Sequence, residues 1–132
     1  MMVINLSGTS FLRPTVQLAI KKGDVKPGDA VRVVQMRDKS KVYDGDYCVI
    51  CNKYEIGWIP RLGTIKKYLS QSIKDNNRSM HDWHYDRYKI SEKLRGHIGV
   101  DIHRNGIEPT GVVEKIAEVQ SGYSISVRFN YE

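Results

Sequence analysis

The pattern of apolar and polar positions divides the chain into short β-type segments and one clear helix. Tyr123, Ile125, Val127, Phe129 and Tyr131 alternate without a break against Ser124, Ser126, Arg128 and Asn130. Period two places one set on each face of a strand. With Val112–Val119 before it and Gln120-Ser121-Gly122 as the turn, this predicts a hairpin. Tyr47–Cys51 is a continuous apolar run and predicts a strand buried on both faces. Asn52-Lys53 closes a second hairpin onto Tyr54–Ile59, where Gly57 suggests a bulge or close approach and Pro60 ends the ladder. Met2–Leu6 and Ala30–Met36 read as further strands.

The period then changes. Leu62, Ile65, Leu69 and Ile73 fall on one helical face, with Lys66, Lys67, Gln71 and Lys74 off it. Thr15–Lys22 reads two ways: Val16, Leu18 and Ile20 alternate as in a strand, while Pro14 suits the first turn of a helix. Trp83, Arg87, Ile90 and Leu94 give a helical stripe over residues 80–96, with Gly96 as its cap. His97–His103 alternates through Ile98, Val100 and Ile102 and predicts a strand; Asn105–Gly111 reads as loop. Six to seven short strands with one or two added helices predict a mainly β (α+β) chain. A small closed barrel would remove the exposed strand edges.

Charge sharpens the picture. The formal net charge is +6. Twelve Lys and Arg against six Asp and Glu lie in residues 1–70, and nine against nine in residues 71–132, so the whole excess sits in the first half. A clustered positive surface fits a polyanionic partner such as nucleic acid, or a solvated basic face. No apolar run approaches the roughly 20 residues of a membrane span. The N-terminal stretch lacks the basic and apolar regions of a signal peptide, which predicts a cytoplasmic protein and no membrane partner. Cys48 and Cys51 form a C-x-x-C, but within a predicted strand they point to opposite faces, so they read as buried free thiols. His81 and His84 could share a metal on a helix, yet no third ligand is spaced to join them. No phosphate loop, nucleophile elbow or zinc-protease motif occurs. The expectation is a non-enzymatic chain without cofactor or metal.

Four segments in order carry a family resemblance: Gly8-Thr9-Ser10-Phe11; Gly28-Asp29 before Val31–Val34; the loop Asp38–Asp44; and Gly57-Trp58-Ile59-Pro60-Arg61. In order and spacing the chain resembles the HIRAN domain, a small DNA-binding module found with helicases. The likeness covers roughly the first half. It departs where the family's loop Pro and Asn are Lys39 and Lys41 and its Glu is Asp38. The Arg-Tyr-Tyr that follows the first strand in end-binding members is absent, with only Phe11 and Arg13 nearby. The resemblance implies an OB-like barrel, favours a short helix after Pro14, and makes residues 74–110 an insertion. It further implies binding of single-stranded DNA or exposed 3′ ends, in repair or replication, beside a separate helicase or nuclease.

By that resemblance Tyr43 stacks on or bonds the last nucleotide and Asp44 accepts from its 3′-hydroxyl, with Phe11 and Trp58 as pocket wall. Arg13, Arg37, Lys39, Lys41 and Arg61 are the cations for the backbone, since single strands are held by aromatic faces and tracking cations. Other readings stand beside these: Tyr43-Asp44-Gly45 as a plain turn, Trp58 as a core residue, Arg61 as partner of Asp38. The rival function is a protein-interaction or structural module of a mobile element or phage, with no nucleic-acid role.

Overall fold

A computed structural model describes residues 1–37, 45–120 and 122–132. Among these residues, six strands and three α-helices form an α+β architecture. In chain order they are β1 (Met2–Asn5), a 3-10 turn (Thr9–Phe11), α1 (Pro14–Lys22), β2 (Ala30–Gln35), β3 (Tyr47–Cys51) and β4 (Tyr54–Trp58). Then come α2 (Leu62–Lys74), α3 (Arg78–His103), β5 (Thr110–Val119) and β6 (Gly122–Phe129). The strands make one antiparallel sheet in the order β1-β6-β5-β2-β3-β4.

The expected closed barrel is not what these strands form. The sheet is open, and among the described residues its edges β1 and β4 pair only at one bridge, Ser7 with Trp58. The edge strands are short, four and five residues, and the β3–β4 register shifts between Val49 and Ile50. Neither edge can extend the pairing far. Helix α3 bonds to both sides instead: Arg87 donates to the Asn5 carbonyl at 2.9 Å, and Arg95 to those of Ile59 and Pro60 at 3.4 and 3.3 Å.

The ambiguous stretch after Pro14 is helical. Val16 and Ala19 are buried and Leu12 and Ile20 partly so, the i, i+3, i+4 face of a helix, while Leu18 is half-exposed. Gly23, at φ 83°, takes the left-handed cap, its N–H reaching the Ala19 and Ile20 carbonyls.

The strand expected at His97–His103 is a correction: those residues continue α3, which runs 26 residues, about 39 Å. Leu94 and Ile98 are fully buried and Ile102 packs on the core beside them, while Val100 is exposed. The apolar spacing that decides is therefore four, not two. Gly96 lies inside this helix rather than capping it. Through Leu94 and Ile98, the stretch 74–110 supplies the same core as Ile4, Val33, Val49, Ile56, Val113, Ile125 and Phe129. The β5–β6 hairpin forms as its alternation predicts, with Tyr123, Ile125, Val127 and Phe129 buried.

Candidate nucleic-acid interface

Two sequence segments far apart in the chain meet at the bridge between the sheet edges. The Ser7 N–H donates to the Trp58 carbonyl at 2.8 Å, and the Trp58 N–H donates back to the Ser7 carbonyl at 2.9 Å. Gly8 follows with φ 80°, and a Cβ there would lie 2.9 Å from Trp58 Cδ1. The glycine thus lets the backbone press against the indole edge, which any side chain would block. The 3-10 turn then carries Phe11 outward, 90% exposed. Gly122 seats the β5–β6 turn against it, since a Cβ there would come within 2.9 Å of Ser10 Cα.

The stem of the β2–β3 connection opens at the same end of the sheet. Gly45 N–H bonds the Met36 carbonyl at 2.8 Å, Met36 N–H bonds that of Asp46 at 2.9 Å, and Gln35 Nε2 donates to the Gly45 carbonyl at 2.8 Å. One residue on, the Tyr47 carbonyl accepts from the Ile59 N–H at 3.0 Å, and Cys48 lies opposite Trp58. Lys39, Lys41, Tyr43 and Asp44, with Asp38, lie outside the described residues. Their anchoring residues stand beside the Gly57–Arg61 segment. Phe11, Trp58 and Arg61 are thus gathered around one end of β3 and β4, and Arg13 follows two residues after Phe11. Arg37 is exposed just past β2. It lines a separate hollow of about 310 Å³ with Val33, Gln35, Ile102, Ile107 and Glu108.

The charge at this end is organised around Asp46. Its buried carboxylate accepts from Arg61 Nε at 2.5 Å and lies 3.9 Å from Arg95 Nη2. Arg95 also places its guanidinium 5.0 Å from the centre of the Tyr47 ring. Two cations on one carboxylate leave the trio net positive. Among the described residues Arg61 pairs with the carboxylate of Asp46; Asp38, the partner the sequence offers, lies outside them. Neither Asp46 nor Arg95 is among the residues the sequence singles out. Asp46 directly follows the Tyr43-Asp44-Gly45 segment in the sequence, and nothing local marks the Arg95 position in α3.

Helix ends add to the field. The N-cap of α1 is Arg13 and that of α2 is Arg61, and among the described residues neither helix start has a side-chain cap. Neither first turn carries an acidic residue. Uncapped amides and the helix dipole both favour an anion there.

Other candidate chemistry is accounted for by packing. Cys48 and Cys51 are free and fully buried. Burial, then the nearby Glu55, pushes the Cys48 thiol up to about 12; burial, then Asp29, raises Cys51 as well. Since the thiolate is the reactive form, an aromatic disulfide reagent should leave the native protein unmodified and titrate two thiols once it is unfolded. Rapid modification of the native protein would contradict this. His84 stacks on Tyr68, their ring centres 5.1 Å apart, and its imidazole is held below the ordinary range by burial and then by Arg87. Among the described residues no three His, Cys, Asp or Glu side chains converge as metal ligands, and no helix is long and apolar enough to cross a membrane. Comparison of the chain with protein-family models, curated proteins and solved structures returns no match.

Proposed function

We propose that the chain is a non-enzymatic DNA-binding module that holds single-stranded DNA by an exposed 3′ end. The observation that carries this reading is the convergence at the Ser7–Trp58 bridge. Gly8–Phe11, the stem of the 38–44 loop and Trp58–Arg61 come together there, beside two arginine-started helix N-termini. An exposed aromatic ring beside concentrated positive charge is what a base and its phosphate require. In this reading Phe11 and Trp58 flank the last base, Arg13 and Arg61 face the backbone, and Tyr43 and Asp44 take the roles the family resemblance gives them. The edge-to-edge contact also supports reading the sheet as an opened form of the OB-like barrel that the resemblance implies. A helicase or nuclease working on the same strand, in the cytoplasm, is the partner this reading calls for.

Fluorescence anisotropy with labelled single strands tests it, comparing a free 3′-hydroxyl with a 3′-phosphate at two salt concentrations. A carboxylate that accepts from the hydroxyl makes a charge-assisted bond of about 1.5–3 kcal/mol. Blocking the end should therefore weaken binding roughly tenfold or more, and Asp44→Ala should abolish the difference. Absence of binding at low salt would overturn the proposal.

A further inference from the structure

Helices α2 and α3 run antiparallel side by side, with Tyr68 against His84 and Lys66 against Tyr88. The outer part of this hairpin is poor in buried apolar groups. Between Lys66 and Ile90 the buried side chains are Ser72 and His84, both polar, while Tyr68, Ile73, Met80, Trp83 and Tyr85 are exposed. Ser72 donates its hydroxyl to the Leu69 carbonyl of its own helix, at 2.7 Å. His84 is the buried group that reaches the other helix. Its ring stacks on Tyr68 and lies edge-on to Trp83, with ring centres 5.1 and 4.8 Å away. Farther along, Leu94 and Ile98 seat α3 in the core, so the two parts of this helix are held by different means.

The surroundings of His84 suit a neutral ring. Nδ1 is buried and has no hydrogen-bond partner. A neutral imidazole donates from one nitrogen, but an imidazolium donates from both, and at Nδ1 no acceptor waits. The charged group facing the ring is Arg87, one turn on. Arg87 bonds the Asn5 carbonyl of β1 at 2.9 Å, holds its guanidinium 5.5 Å from the Trp83 ring centre, and has its Nε buried without a partner. From α2 the facing group is the Tyr68 phenol. Asp86 is exposed on the wall of a small hollow with Arg87 and Trp83, and Asp82 stands 3.6 Å from His81. Among the described residues neither carboxylate pairs with His84 or Arg87. A proton on His84 thus sets a second cation beside Arg87, away from water, with no carboxylate to offset either. Burial, then Arg87, accordingly holds this imidazole below the ordinary histidine range.

We propose that His84 is an acid-operated latch: neutral, it fastens the outer part of the α2–α3 hairpin, and protonated from solvent it lets residues 66–90 open while 94–103 stay on the sheet. Folding lowers the affinity of this ring for a proton. Its contribution is therefore complete above the ordinary value of about 6.5 and is lost as pH falls below it, towards the ring's own lowered value. Opening also releases Arg87 from Asn5, two residues before the Ser7–Trp58 bridge. The latch needs no DNA, and its test contains none.

Amide hydrogen exchange at about pH 7.5 and 5.5, corrected for the intrinsic rate, reads such local opening. Protection of residues 66–90 should fall several-fold relative to 94–103, towards the ceiling of about tenfold that an ordinary value of about 6.5 sets over this window. His84→Phe keeps a flat ring against Tyr68 and Trp83 but takes no proton, so its ratio should not change with pH. His81→Gln should respond as the parent does. In the parent, the nuclear magnetic resonance signal of the His84 ring should titrate below about 6.5; this readout decides the matter should His84→Phe fail to fold. A ring that titrates at or above that value, equal loss of protection in 66–90 and 94–103, or an undiminished acid response in His84→Phe would each overturn the latch.

Discussion

Gly57→Ala lowers the unfolding midpoint by roughly 10–20 °C, the loss that about 3–5 kcal/mol brings in a chain of this size. Two independent penalties add up to it. Gly57 has φ 153°, a conformation that L side chains rarely adopt, and holding one there costs about 1–3 kcal/mol. A Cβ would also meet Leu6 Cβ at 2.9 Å and the Ser7 carbonyl oxygen at 3.0 Å. Leu6 is buried in the core and Ser7 makes the bridge to Trp58, so neither can yield cheaply. Overpacking of this kind costs a further 1–3 kcal/mol or so. Gly63→Ala is the control. That glycine lies in the first turn of α2, and an added Cβ would meet nothing within 4 Å, so alanine should hold or slightly raise the midpoint. Thermal melts followed by circular dichroism read both. A shift below about 3 °C for Gly57→Ala, under 1 kcal/mol, would mean the strand edges are not held together as described.

Arg95→Met destabilises by about 2–3 kcal/mol and, on the proposed DNA-binding reading, weakens strand binding with it. Arg95 joins α3 to the end of β4 through two carbonyl oxygens, to Asp46 by charge, and to Tyr47 by its ring face. Its side chain is 23% exposed and that of Asp46 12%, so solvent screens this pair less than it does a surface pair. Hydrogen bonds to a charged group contribute about 1.5–3 kcal/mol and a cation–π contact about 0.5–1. Methionine keeps much of the apolar stem but none of these bonds. Arg95→Lys should fall between the two, because an ammonium has no planar fork to reach two carbonyls and a carboxylate together. In a double-mutant cycle with Asp46→Asn, a coupling of about 0.5 kcal/mol or more is expected for groups in one network. The affinity loss follows because Asp46 orients Arg61; it should appear at both salt concentrations. If both Arg95 variants stay within about 0.5 kcal/mol of the parent, the range of ordinary surface changes, Arg95 does not organise this end of the sheet.

Much of the fold is legible in the chain because local period decides it. β6 alternates cleanly and α2 carries its stripe at helical spacing, and both form where those patterns put them. Period fails where two rhythms overlap. Ile98, Val100 and Ile102 satisfy a strand, while Leu94, Ile98 and Ile102 satisfy a helix, and only packing against the sheet selects the second. Pro14 does mark the start of α1; the competing alternation of Val16, Leu18 and Ile20 leaves Leu18 in solvent. Barrel closure lies beyond local reading, because it depends on how far two short edges pair, and among the described residues they pair at one bridge. At the candidate site, motif order points to Phe11, Trp58 and Arg61. The carboxylate that holds Arg61 and the arginine that braces it come from Asp46 and from α3. Such a contact between distant segments leaves no periodic trace.

The most direct measurement is a nitrogen-15 amide and indole spectrum of the protein titrated with a short single strand bearing a free 3′-hydroxyl. The largest shifts should fall on Gly8, Phe11, Asp46, Arg61 and the Trp58 indole N–H, and the same strand blocked at its 3′ end should move them less. Shifts confined to the far end of α1 and to the outer part of β5, with the Trp58 indole unmoved, would contradict a 3′-end site at the Ser7–Trp58 bridge.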